Sequence, residues 1–77
     1  MTEYEFVRKN LSLSADFNAY LASHPDFLLE LPEKVHIVFE IKNNKHFSGR
    51  NLEIARKTHE RYLIASKVGN RWETRRP

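Results

Sequence analysis

The sequence predicts an α/β (α+β) fold: an N-terminal helix, a short helix, a central strand, a crossover helix, a parallel strand and a C-terminal antiparallel edge hairpin. Three observations carry that expectation. Val35 to Ile41 is the densest β-branched and aromatic run, with Val35, Ile37, Phe39 and Ile41 alternating with His36, Val38 and Glu40, the period-two pattern of a strand with one buried face. A helical pattern and a second apolar strand follow with short connections, the order of a right-handed βαβ crossover between parallel strands. Ahead of the run, apolar residues recur at steps of three and four, the spacing of an amphipathic helix.

The chain has 77 residues, which sets the expectation of a single small domain over 1–77, with 75–77 as a flexible basic tail. At this length, burial at about 25 cal/mol per Å² roughly cancels an ordering entropy of about 1.5 kcal/mol per residue. Natural domains of this size add a disulfide, a metal or a partner subunit. Cysteine is absent, which excludes disulfides and thiolate metal sites. A homodimer is therefore the expected supplement. The lack of cysteine also points to a cytoplasmic address. Met1 leads straight into Glu3, Glu5 and Arg8, so no apolar leader is expected, and no apolar run nears the ~20 residues of a membrane span. The formal charge is +3 and the pI near 9.5, low for a dedicated nucleic-acid binder.

Thr2 to Ser23 reads as one helix. Thr2 and Glu5 fit a capping box, Glu5 and Lys9 an i,i+4 pair. The expected apolar stripe is Val7, Leu11, Ser14, Phe17, Leu21 and His24, widened by Tyr4, Phe6 and Tyr20. Ser12 and Ser14 lower the propensity in mid-helix and offer alternative caps. His24-Pro25 ends this helix and starts a short one, whose Phe27, Leu28 and Leu31 are expected in the core. Pro32-Glu33-Lys34 breaks the chain before the strand. After it, Asn44 is the expected N-cap of a helix over Lys45 to Glu60, with Phe47, Asn51, Ile54, Ala55 and Thr58 on one face and a Glu53–Lys57 pair. Gly49 is a weak point, and Ser48 an alternative cap.

Arg61 to Val68 reads as a strand, Gly69-Asn70 as a type II′ hairpin turn, and Arg71 to Arg76 as the returning edge strand. Two registers are open. A two-residue turn sets Trp72 opposite Lys67, on the Leu63/Ala65 face. A bulged turn pairs Trp72 with Val68.

Phe17-x-x-Tyr20-Leu21-x-x-His24-Pro25, Leu31-Pro32, Ile37-Val38-Phe39 and Asn51-Leu52-x-x-Ala55 together resemble a family of short prokaryotic proteins known as a domain of unknown function. The match runs over roughly residues 6–68 and consists mostly of core positions. The resemblance implies the α-β-α-β order and brings no catalytic residues. The sequence departs from that family's acidic loop, having Lys42, Lys45 and His46 there, and in its Gly69 to Pro77 extension.

Two groups of residues are candidate binding sites. The first is the strand–helix loop, with Lys42, Lys45, Ser48 and Arg50 as ligand or anion contacts, because free amides and the helix dipole attract anions. Without paired glycines and a Gly-Lys-Ser order it is not a Walker loop; the plainer reading is a solvated connection. The second is Lys67, Arg71, Trp72, Arg75 and Arg76, basic residues around an aromatic that suit a nucleic-acid backbone and a stacked base. The plainer reading is a charged edge strand guarded against aggregation. His24, His36, His46 and His59 lie ten or more residues apart, so no metal site or cofactor is expected. His24 suits the end of the first helix. His46, His59, Glu60, Arg61 and Tyr62 supply the residue types of a small ribonuclease, without a spacing that unites them.

Function is read in this order: a non-catalytic homodimeric protein-interaction module with a protein partner, using the sheet edge, Tyr62 and Trp72; a nucleic-acid or phosphate-ligand binder; and a small ribonuclease or toxin-like enzyme. No membrane association is expected.

Overall fold

The structure, a computed structural model, describes residues 1–58 and 61–77. These contain α1 (Glu3–Ser23), α2 (Pro25–Glu30), β1 (His36–Glu40), α3 (Lys45–Thr58), β2 (Tyr62–Val68) and β3 (Arg71–Arg75). The predicted helix-and-mixed-sheet fold is present. The chain divides into two compact units, Met1–Pro32 and Glu33–Pro77.

In the first unit, Thr2 is the N-cap of α1: its Oγ1 accepts the Glu5 amide at 3.1 Å. The Glu5 carboxylate accepts from the same hydroxyl at 3.2 Å, so the box is closed between side chains. At the far end, the His24 amide donates to Leu21 O. His24 Nδ1 lies 2.9 Å from Tyr20 O. A carbonyl only accepts, so Nδ1 carries the proton in that bond. His24 thus closes the helix as expected, its ring stacked on Tyr20 with centroids 3.9 Å apart. Pro25 opens α2 at its first turn, and Phe27 meets Phe17 and Tyr20 edge-on.

The stripe of α1 is rotated from the expected one. Phe6 and Phe17 are buried and Leu13 and Leu21 half-buried, while Val7, Leu11 and Tyr4 are exposed. Steps of three and four fit both the 6-10-13-17 and the 4-7-11 rows, and periodicity alone does not say which row faces inward. Leu28, expected in the core, is also exposed.

The second unit holds a three-stranded sheet in the order β1-β2-β3. β1 and β2 are parallel, with Ile37 opposite Leu63 and Glu40 opposite Ser66. β2 and β3 are antiparallel, with Lys67 opposite Trp72 and Val68 opposite Arg71. The two-residue turn is therefore the one formed. Gly69 has φ +62° and no positive φ occurs at Asn70, the type II′ pattern.

The run Val35 to Ile41, expected as the central strand, is an edge strand of this sheet. β2 occupies the middle. Its Leu63, Ile64, Ala65 and Ser66 are buried in succession, as befits a strand covered on both faces. A high density of β-branched residues reports β propensity, not position within a sheet.

Asn44 caps α3 through Oδ1, which accepts the Phe47 amide at 3.1 Å. Phe47, Asn51 and Ala55 are buried, and α3 packs on β1. Ile54 and Thr58, expected on that face, are exposed. The expected extension of α3 to Glu60 lies outside the described residues.

Candidate functional site

The strand–helix junction is built around β1. The His36 amide donates to Arg61 O, so His36, Val38 and Glu40 turn their peptide groups toward β2. Phe39 and Ile41 turn theirs outward, to the edge. Both are met by α3. Asn51 Nδ2 donates to Phe39 O at 3.0 Å. Ser48 Oγ accepts the Ile41 amide at 2.8 Å and donates to Ile41 O at 3.0 Å. Ser48 and Asn51 sit three residues apart, on one side of the helix. Two polar side chains thus stand in for a missing neighbour strand.

This geometry removes Ser48 from the anion contacts named above, since both its hydrogen bonds go to Ile41. Asn44 likewise covers one amide of the helix N-terminus. Lys42 and Lys45 are exposed and Arg50 is half-buried. Arg50 lies about 140° around the helix from Lys45. The four residues do not converge on one point.

The second candidate group is divided by the sheet. Residues paired across strands share a face. Lys67 and Trp72 lie on the face of Phe39, Leu63 and Ala65; Arg71 and Arg75 lie on the other. Trp72 is 3% exposed, its ring edge-on to Phe39 at 5.6 Å. It is a core residue and offers no surface for a stacked base. Arg71 pairs with Glu73 at 3.2 Å. Arg76 is exposed beyond the end of β3.

Arg75 forms a bidentate, charge-assisted pair across the sheet. Its two terminal nitrogens donate to the two oxygens of Glu40 at 2.7 and 2.8 Å, reaching from β3 across β2 to β1. Ser66, buried, donates to the same carboxylate at 2.8 Å. The Arg75 hydrogen bonds hold the Glu40 carboxyl below its ordinary value against partial burial, helped by Ser66 and by the charges of Arg75 and Lys42. The same pair raises Arg75. Glu40 and Ser66 were given no role from the sequence, and Asn51 was read only as part of the packing face of its helix. A polar residue in an apolar strand was the only signal of Glu40 and Ser66, and partners 35 residues apart leave no local pattern.

The acid–base constellation is spread out in its described members. Tyr62 is level with His36 at the start of the sheet. His46 lies past the far end of β1, a five-residue strand about 16 Å long. His59 and Glu60 lie outside the described residues. Among the described residues, no three His, Asp or Glu side chains gather where they would hold a metal ion.

A model for a family of unknown function, DUF5647, matches residues 5–62. The chain belongs to that family. The matched stretch takes in nearly all of α1, then α2, β1 and α3, and stops at the first residue of β2. The family region therefore includes Ser48 and Asn51 with the strand edge they cover, whereas Trp72 and Arg75 lie beyond it. No curated protein and no solved structure matches the chain. Among the described residues no helix is long and apolar enough to cross a membrane.

Proposed function

We propose that this chain is a non-catalytic protein-interaction module that works as a homodimer. One contrast carries the reading. Its best-placed polar side chains are bonded within the fold, while large apolar ones are left outside. Arg75, Glu40, Ser66, Ser48 and Asn51 all bond to one another or to backbone. Tyr4, Val7 and Leu11, on one row of α1, are 70%, 47% and 66% exposed, and Leu29 on α2 is 82% exposed. Contiguous exposed apolar patches mark interaction sites. Support for this reading moves away from Trp72, which is buried, and from the β1 edge, which Ser48 and Asn51 partly cover.

Light scattering on the purified chain tests the homodimer, with twice 9.2 kDa as the expected mass. The nucleic-acid reading has its own test. The module predicts no retention of random RNA or DNA at low salt. Retention that falls steeply as salt rises would reverse the order of the two readings.

A further inference from the structure

We infer that the end of β3 is a strap latched by the Glu40–Arg75 clasp: loss of the Glu40 charge in acid lets residues 73–75 peel from β2 as far as Trp72, while β1, β2 and α3 stay folded. The device lies within the second unit. It goes beyond the homodimer reading and does not rest on it.

The pairing shows where the strap begins. Leu63 and Ala65 turn their peptide groups to β1, so Ile64, Ser66 and Val68 turn theirs to β3, opposite Arg75, Glu73 and Arg71. The two-residue turn ties β3 to β2 at the Val68–Arg71 end. The Ile64–Arg75 end is open, and β3 is an edge strand with one neighbour. Fraying belongs at that open end.

Burial grades β3 in the same direction. Trp72 is 3% exposed and packs on Phe39, whereas Glu73 and Arg75 are exposed and Thr74 half-buried. Apolar packing anchors the strand at Trp72 and falls away beyond it. The clasp stands where packing gives out. Arg75 donates to both oxygens of Glu40 at 2.7 and 2.8 Å, and Ser66 donates to the same carboxylate at 2.8 Å. One side chain of β1 thus ties in both other strands.

The trigger is a single group. Arg75 from β3, Ser66 from β2 and the charge of Lys42 after β1 act on Glu40. Glu73, beside Ser66 across the ladder, is bonded to Arg71 near the turn. Arg75 and Lys42 keep their charges in acid, so protonating Glu40 alone removes the attraction. Peeling then bares the edge of β2 at Ile64 and Ser66, now 4% and 5% exposed.

Native-state hydrogen exchange tests the strap, with the Leu63 and Ala65 amides as the reference. At neutral pH the Glu73 and Arg75 amides should exchange faster than these. Their rate should stay flat in dilute urea, because a local opening exposes little surface. Glu40→Gln should speed them about fivefold, and Arg75→Gln likewise. The ratio of Glu40→Gln to wild type should fall toward one in acid, as the wild type loses the same charge. Glu73 and Arg75 amides that exchange only together with Leu63 and Ala65, with the same urea dependence, overturn the strap. An unchanged rate in Glu40→Gln, or a ratio that does not move with pH, overturns the latch. Should Glu40→Gln fail to fold, the wild type decides: its protection at Glu73 and Arg75 must fall in acid while Leu63 and Ala65 keep theirs, and constant protection overturns the latch. A wild type found monomeric changes none of these outcomes.

Discussion

Arg75 holds Glu40 with both ends of its fork, and Ser66 adds a third bond to the same carboxylate. The consequence for pH follows from the lowered Glu40 value. A carboxyl held lower in the folded chain than in the unfolded one stabilises the fold fully above the unfolded value. That contribution is lost as pH falls through the folded one. Replacing Glu40 by Gln should therefore flatten the stability curve as pH falls through and below the ordinary carboxylate range, followed by urea unfolding. Arg75 is half-exposed, so the coupling in a double-mutant cycle should be modest, about 1 kcal/mol. Two glycines should respond with opposite signs. Gly69 has φ +62° and open space where a Cβ would stand, so the cost of Gly69→Ala is conformational alone, about 1–2 kcal/mol. Gly49, inside α3 with equally open space, should gain about 0.5–1 kcal/mol as Ala. By thermal unfolding that is a rise of roughly 2–8 °C. The turn role of Gly69 was legible from Gly69-Asn70. The Glu40–Arg75 pair was not, because nothing local links the two residues.

β1 shows how an element can be recognised and still be misplaced. Its strand character was plain from Val35 to Ile41, but its position at the edge was not, since alternation is the same at an edge and in the middle. What marks the edge is the pair Ser48 and Asn51, polar residues on the buried side of α3 that bond to Ile41 and Phe39. Asn51→Ala should cost about 1–3 kcal/mol by leaving Phe39 O without its donor. The double variant Ser48→Ala/Asn51→Ala should also aggregate faster on heating, as its bared strand edge recruits other chains. Turbidity against wild type reads this, and an unchanged rate would mean the caps do not guard the edge. The hairpin register became definite only with the pairing of Lys67 opposite Trp72, and with it the division of the basic residues between two faces. Composition showed Lys67, Arg71, Trp72 and Arg75 close together in the chain. The pleat sends them apart.

At the scale of the molecule, α1 presents the plainest mismatch between sequence pattern and exposure. The helix was legible; the row that faces outward was not, because both rows are apolar. A chain of 77 residues has little core to spare, and covering Tyr4, Val7 and Leu11 on a second copy removes apolar surface from water at about 25 cal/mol per Å². The most direct measurement is sedimentation equilibrium of the wild-type chain over a wide concentration range. The account predicts a mass tending to twice 9.2 kDa as concentration rises, and a mass of 9.2 kDa throughout would contradict it.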